Sequence, residues 1–172
     1  LVLLRYVEHD QSVGRAIAIS LHLANTLLLL GALTCTAWFS RPDVTRPRFA
    51  FSGFLLGLLL PLAVIVGISG AIAALGDTLF PATSFREGMQ QDISDTAHFL
   101  LRLRVFHPAF AAILALYGLF VAVDRILNRV SSESHMIAAI ICGVIGVQLL
   151  AGVANILLLA PVWMQITHLL LA

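Results

Sequence analysis

The sequence predicts an all-α protein, a bundle of helices that cross a membrane several times. Of its 172 residues, 60% are hydrophobic and only 11% are charged, whereas a soluble domain carries about 25% charged residues. The mean hydropathy is +1.00, which leaves too little polar surface to cover a soluble core. The net charge of +1 provides no basic surface of the kind that binds nucleic acid. The composition therefore excludes a soluble enzyme and a nucleic-acid-binding protein.

Long stretches without Asp, Glu or Arg mark the spans in order along the chain, which contains no Lys. Such stretches occupy residues 16–40, 49–76 and 105–123, and another runs from residue 134 to the last residue. A membrane-crossing helix needs roughly 20 apolar residues. Pro161 divides the last stretch, because proline ends one helix and often starts the next. The predicted spans are 13–39, 49–76, 96–123 and 135–159, followed by a fifth segment at 162–172.

The two ends of the sequence are expected to belong to longer helices. The fifth segment has 11 residues, which reach about 16 Å at the α-helical rise. A hydrocarbon core is about 30 Å thick, so this segment is too short to cross it. Residues 1–4 are all apolar and are typical of the end of an earlier helix. We therefore expect the chain to be a piece of a longer membrane protein.

The charges between the spans predict the orientation. The connector at 40–48 carries Arg41, Arg46 and Arg48 against Asp43, and the connector at 124–134 carries Arg125 and Arg129. These two connectors face the same side, whereas the connector at 77–95 is acidic. The positive-inside rule places the Arg-rich connectors in the cytoplasm. The second half of the acidic connector is polar enough to be a loop or a helix at the membrane surface. It leads into the third span at Asp95 or Thr96.

Small residues at intervals of four predict close contacts between spans. Such pairs are Gly53 with Gly57, Gly67 with Ala71, and Ala139 with Gly143. Small side chains let helix backbones approach each other within lipid. We interpret these residues as packing positions without chemistry.

Three histidines lie at the depth of the spans, where ionisable residues are rare and usually face the interior of a bundle. They are His22, His107 and His168, and the predicted orientation places all three at similar depth on the non-cytoplasmic side. Neutral imidazole is a good ligand of haem iron, and histidines on facing helices build cofactor sites. The alternative is that each histidine only hydrogen-bonds to a neighbouring helix. Zinc is less well supported, because no His-x-x-x-His pair or carboxylate partner occurs at helical spacing.

Two arginines precede His107 at the membrane edge. Arg102 and Arg104 lie about one turn before it, and Arg pairs well with carboxylates, so haem propionates are candidate partners. Contact with lipid phosphates is the alternative. His98 lies nine residues before His107, on the opposite face of a straight helix. We therefore assign His98 to the membrane interface and not to the same iron.

Six ordered stretches carry a resemblance that runs along nearly the whole chain. They are Ala18–Leu23, Ile68–Ala71, Gly76–Pro81, Leu103–Pro108, Gln148–Gly152 and Pro161–Leu169. Together they resemble the haem A synthase family, multi-pass membrane enzymes of cytochrome oxidase assembly. The resemblance implies two four-helix halves related by an internal repeat, each with a histidine pair on its second and fourth helices. Residues 1–48 would end the N-terminal half, and residues 49–172 would form a truncated C-terminal half.

The same resemblance implies roles for the histidines. His107 and His168 match the pair of the C-terminal half, which holds a haem b cofactor. His22 matches the second histidine of the N-terminal half, where the substrate haem binds. The implied reaction is oxidation of the C8 methyl group of haem O to the formyl group of haem A. The acidic catalytic residue is expected in the part of the N-terminal half that precedes this sequence. The implied location is the bacterial plasma membrane or the mitochondrial inner membrane.

The sequence departs from the family at one point, and two other functions remain open. Family members often carry two cysteines in the loop after the fifth span, and residues 76–90 contain none, which excludes a disulfide there. One alternative is a membrane b-type cytochrome that uses His107 and His168 for electron transfer in a respiratory or photosynthetic complex. Another is a structural protein without haem. The expected partners are a haem substrate and membrane lipids. Further candidates are a haem O synthase, an oxidase assembly factor or a larger membrane complex.

Overall fold

The computed structural model describes residues 12–41, 51–128 and 132–172, and of residues 51–53, 133 and 134 it describes the backbone alone. The described residues form seven helices and no strand, as the predicted all-α class requires. The helices are α1 (Val13–Phe39), α2 (Phe51–Leu79), α3 (Phe85–Ile93), α4 (Phe99–Arg104), α5 (Phe106–Asn128), α6 (Ser132–Leu157) and α7 (Val162–Leu170).

Four segments of the described chain are long and apolar enough to cross a membrane, and α4 and α5 together make one of them. The segments are Val13–Phe39, Phe54–Leu79, Phe99–Asn128 and His135–Leu157. Many of their apolar side chains point outward, and Leu116 and Leu150 are 69% and 73% exposed. Water would oppose such exposure, whereas lipid tails are as apolar as these side chains. The prediction of a polytopic membrane bundle is confirmed.

The third span begins later than the sequence predicts. It starts at Phe99 instead of Asp95 or Thr96, because the imidazole of His98 caps it. The His98 Nδ1 atom accepts a hydrogen bond from the backbone N–H of Leu100 at 3.4 Å. A cap of this kind satisfies a backbone donor that has no partner within the helix. The start of the span is therefore fixed by a residue type that sequence rules do not favour as a cap.

The other helix ends also follow from local backbone geometry. α1 covers the predicted range 13–39, and α2 continues to Leu79 instead of ending at residue 76. α6 ends at Leu157, two residues before the predicted end. Leu159 and Ala160 have φ angles of 62° and 52°, in the left-handed region that ends a helix.

Neighbouring helices pack largely in sequence order: α1 on α2, α2 on α4 and α5, α5 on α6, and α6 on α7. A Cβ atom at Gly67 would lie 3.2 Å from Leu27 Cδ1, so Gly67 forms a close α1–α2 contact as predicted. Within the described residues, a Cβ atom at Gly57 or Gly143 would meet nothing within 4 Å, so the predictions of close contacts at these two glycines are wrong. The close approach of α5 and α6 is made by Gly118, against the side chain of Ile145.

The acidic connector contains α3, a short helix outside the spans. The Ser84 hydroxyl caps its start by accepting from the backbone N–H of Glu87 at 3.2 Å. Of the two forms that the sequence left open for this segment, a loop or a helix, the structure has the helix. α3 contacts α4, which brings it to the end of the bundle where the arginines lie.

Candidate functional site

The structure brings two of the three span histidines together. His107 is the second residue of α5, and His168 lies near the end of α7. Their ring centroids are 6.4 Å apart, and the ring planes meet at 77°. The two imidazoles therefore come from different helices and lie close together, with their ring planes nearly perpendicular.

His107 is held by two consecutive residues of α2. The Ser69 hydroxyl oxygen lies 3.1 Å from His107 Nδ1, and Ser69 is buried. Gly70 provides the space for the ring, because a Cβ atom there would lie 3.0 Å from His107 Cε1. Any residue larger than glycine would therefore press on the imidazole, which fixes where the ring can lie.

His168 lies against a glycine as well. A Cβ atom at Gly152 of α6 would lie 3.4 Å from His168 Cε1. The amide of Gln148 donates to the His168 backbone carbonyl at 3.3 Å, which joins α6 to α7. Within the described ranges, the buried Nδ1 atom of His168 has no hydrogen-bond partner. The side chain is therefore held by packing and not by a hydrogen bond.

The pair offers two nitrogen ligands from opposite helices. Within the residues that the structure describes, no group of three or more His, Cys, Asp or Glu side chains could hold a metal ion. Zinc in protein sites takes three or four protein ligands. Two imidazoles instead suit a metal that brings its other ligands with it, as the iron of a haem does.

His22 lies on α1 with an exposed side chain. Its backbone carbonyl accepts a hydrogen bond from the Thr26 hydroxyl at 2.9 Å. No ring contact joins it to His107 or His168 in the part of the chain that the structure describes. The structure thus keeps the pair together and His22 on a separate surface.

Arg104 is partly buried and has three protein acceptors. Its guanidinium donates to Asp77 at 2.7 Å, to Asp92 at 2.6 Å and to the Gly88 carbonyl at 3.1 Å. These bonds join α4 to the end of α2 and to α3. They use three of the five N–H groups of the side chain, so two N–H groups remain for a further acceptor. Arg102 is exposed, and it donates to the Asp95 carbonyl.

His98 caps α4 and does not face the histidine pair. Its ring lies between those of Phe80 and Phe99, with centroid distances of 4.9 Å and 4.6 Å. The sequence predicts an interfacial His98 that acts as a rim or proton-handling residue, and the structure gives it the role of a helix cap. Sequence reasoning missed Ser69 and Gly70 as site residues, although both belong to the stretch Ile68–Ala71 that carries the family resemblance.

The fold and the site define a class: a multi-pass membrane protein with a facing histidine pair between its helices. Residues 3–172 match the family described as cytochrome oxidase assembly protein, COX15-CtaA. The chain belongs to this family, which is the haem A synthase family that its sequence resembles. It is therefore a membrane protein of a family that acts in haem A biosynthesis and oxidase assembly.

Two curated proteins from two strains of Thermus thermophilus are similar to the chain. Both are named protoheme IX farnesyltransferase, and each is 42% identical over 175 residues. The match covers 100% of this chain but only 29% of each relative, so the chain spans less than a third of their length. No solved structure matches the chain.

Proposed function

We propose that the protein containing this chain is a haem A synthase, which oxidises the C8 methyl group of haem O to the formyl group of haem A. The observation that carries the proposal is the His107–His168 pair, whose rings lie 6.4 Å apart in a chain of this family. In this proposal the pair holds haem b. The division into an N-terminal half ending at residue 48 and a C-terminal half at 49–172 belongs to the same proposal.

The residues of the pair fit a haem iron. The ring centroids of His107 and His168 lie 6.4 Å apart on two different helices, so the two imidazoles could supply two nitrogen ligands to one haem iron. Gly70 and Gly152 leave each ring the room it occupies. A haem b held by two histidines supplies one-electron transfer.

The chain's other residues would bind and orient the haems. Arg102 has an exposed guanidinium, and Arg104 retains two N–H groups beyond its protein partners, so both can still donate to propionates. His22 would ligate the substrate haem together with a residue of the N-terminal half. Its exposed imidazole on α1 is available for that role.

The names of the relatives support a haem substrate. A protoheme IX farnesyltransferase acts on a haem, and the two Thermus thermophilus proteins of that name contain a segment 42% identical to this chain. Haem O carries a farnesyl-derived side chain, so we propose a haem O synthase as the partner that supplies the substrate. We further propose that the protein lies in the bacterial plasma membrane or the mitochondrial inner membrane. In both cases the histidines lie on the non-cytoplasmic side.

The test uses the full-length protein in membranes. Its haems are identified by pyridine haemochrome spectra, and haem O is then added and the extracted haems are separated. We expect haem b in the resting protein and conversion of haem O to haem A. His107→Ala and His168→Ala should each remove the low-spin haem b spectrum, whereas His135→Ala, at an exposed site at the start of α6, should leave it intact.

Two outcomes would contradict the proposal. Haem b without any conversion of haem O would indicate a membrane b-type cytochrome. The absence of haem from the full-length protein would indicate a structural role for the pair.

A further inference from the structure

We propose that Ser69 is a positioning residue, which fixes the tautomer and the orientation of His107 so that Nε2 is the nitrogen offered to iron. The proposal rests on the haem-binding function of the His107–His168 pair. It adds a residue of α2 that touches neither the iron nor the substrate.

The direction of the hydrogen bonds around Ser69 follows from the number of hydrogens available. A serine hydroxyl has one hydrogen to donate, and a backbone carbonyl has none. The Ser69 hydroxyl lies 2.9 Å from the Val66 carbonyl oxygen, so it must be the donor in that contact. Its oxygen can then only accept from His107 Nδ1, 3.1 Å away. The chain of bonds therefore runs from His107 Nδ1–H to Ser69 and on to Val66.

This direction determines which ring nitrogen is free. A neutral imidazole carries one N–H, and its other nitrogen has the lone pair that binds a metal. With the hydrogen on Nδ1, the lone pair of His107 lies on Nε2. The reverse tautomer would place two acceptors, Nδ1 and the Val66 carbonyl, against a hydroxyl with one hydrogen. The hydroxyl would then lose its bond to the Val66 carbonyl, which keeps the backbone N–H of Gly70 as its helical partner, and a lost hydrogen bond of this kind costs about 0.5–1.5 kcal/mol.

Water has little access to the hydrogen bond between Ser69 and His107, so it cannot easily take the place of the Ser69 hydroxyl. Ser69 is 8% exposed, so water has little access to the Nδ1 side of His107. The neighbouring residue Gly70 holds the ring from the same helix, since a Cβ atom there would lie 3.0 Å from Cε1 and 3.6 Å from Nε2. Gly70 therefore gives the ring room beside α2, and a flip of the ring would break the bond between Nδ1 and Ser69.

The two histidines of the pair differ in the hydrogen-bond partner of Nδ1. His168 Nδ1 has no hydrogen-bond partner within the described ranges, whereas His107 Nδ1 has Ser69. An acceptor on the outer N–H of a metal-binding histidine raises the basicity of the ligand. Ser69 should therefore strengthen the His107–iron bond and stabilise ferric iron over ferrous iron, which lowers the midpoint potential of the haem.

The test compares Ser69→Ala with Ser69→Thr in the full-length protein. Loss of such an outer partner typically weakens metal binding by about 10- to 100-fold. We expect Ser69→Ala to weaken haem retention by about tenfold, at the low end of that range, and to raise the midpoint potential. Ser69→Thr should restore both values, because threonine hydroxyls of this chain already donate to carbonyls of the preceding turn, as Thr26 and Thr78 do. Thr78→Ala is the matched control, since it removes an exposed hydroxyl from the same helix away from His107.

The outcomes separate this proposal from the proposed function. If the wild-type protein holds haem but Ser69→Ala leaves both haem retention and potential unchanged, the positioning role of Ser69 is wrong and the haem function stands. If the wild-type protein holds no haem, the haem function is wrong, and nitrogen-15 NMR of the His107 ring then tests Ser69 alone. In that case an Nδ1–H tautomer that is lost in Ser69→Ala supports the positioning role, and an unchanged tautomer overturns it.

Discussion

The guanidinium of Arg104 lies 2.7 Å from the carboxylate of Asp77, near the C-terminal end of α2. The same guanidinium lies 2.6 Å from Asp92 of α3. The three side chains are between 11% and 24% exposed. Two partly buried carboxylates thus share one cation, and removing that cation would leave them with only each other. The two ion pairs of Arg104 therefore stabilise this end of the bundle.

Arg104→Ala should therefore destabilise the protein. Breaking a fully buried ion pair from one side costs about 3–5 kcal/mol, and the partial exposure here lowers our expectation to about 2–4 kcal/mol. Thermal unfolding in detergent measures the change. Arg102→Ala is the control, because Arg102 is exposed and its bond to the Asp95 carbonyl leaves no carboxylate without a partner. Equal melting temperatures for the two variants would contradict the expectation.

Gly70→Ala should displace the His107 ring. The added Cβ atom would lie 3.0 Å from Cε1, closer than packed carbon atoms approach. We expect haem affinity to fall by about tenfold, as for other losses of ligand orientation. Gly152→Ala, where the contact to His168 would be 3.4 Å, should have a smaller effect. Haem titration followed by visible spectroscopy measures both.

The control for this series is Gly57→Ala, because Gly57 lies on the same helix as Gly70 and a Cβ atom there would meet no described residue within 4 Å. It should leave the haem spectrum and affinity unchanged. If Gly57→Ala and Gly70→Ala weaken haem binding equally, contact with the His107 ring is not the cause.

Gly118→Ala should loosen the contact between α5 and α6. A Cβ atom there would overlap Cδ1 of Ile145, the far end of a side chain that can rotate away. Overpacking costs typically about 1–3 kcal/mol, and we expect about 1 kcal/mol because Ile145 can move. Gly143→Ala and Gly146→Ala on α6 meet nothing within 4 Å and should not destabilise. Thermal unfolding in detergent compares the stability of the three variants. A loss of stability in Gly143→Ala or Gly146→Ala but not in Gly118→Ala would contradict the assignment of the close α5–α6 contact to Gly118.

The sequence predicts the spans well because a charged side chain within lipid raises the free energy wherever it occurs, whichever helices pack against it. The stretches free of Asp, Glu and Arg are visible without any knowledge of which helices meet. The partners of a side chain are set by tertiary contacts instead. Ser69 and His107 are 38 residues apart, and Asp77 and Arg104 are 27 apart. No local pattern relates residues at such separations, so neither pairing could be predicted.

The sequence-based prediction of where the third span starts is wrong for a similar reason. The predicted start of the third span relied on Asp95 or Thr96, which are favoured as caps. His98 makes the cap in the structure, and its ring is held in place by Phe80, which belongs to an earlier part of the chain. Tertiary packing thus overrides the cap preference of the local sequence.

Glu87 should make the start of α3 sensitive to acid. The Thr83 hydroxyl and backbone N–H both donate to the Glu87 carboxylate, the N–H at 2.8 Å. These bonds lower the pKa of Glu87 below its ordinary value of 4.5. A lowered pKa means that the charged form stabilises the fold. This contribution is complete above the ordinary value and is lost as the pH falls through the lowered one.

Hydrogen–deuterium exchange of α3 across the acidic range measures this effect after correction for intrinsic exchange. We expect protection of α3 to decrease as the pH falls below 4.5. Glu87→Gln removes the titrating group and should make protection independent of pH over that range. A pH dependence that persists in Glu87→Gln would assign the effect to another carboxylate.

The last prediction separates His22 from the His107–His168 pair. If His22 ligates the substrate haem, His22→Ala in the full-length protein should abolish conversion of haem O while the haem b spectrum stays intact. The physical reason is that His22 is exposed on α1, whereas the pair lies between α5 and α7.

His107 and His168 are 61 residues apart. An internal repeat would then place the partner of His22 about 60 residues upstream, within about 10 residues, since loops vary most between repeats. Loss of haem b in His22→Ala would contradict the separation of His22 from the pair. A full-length sequence without a span histidine in that window would make His22 a packing residue.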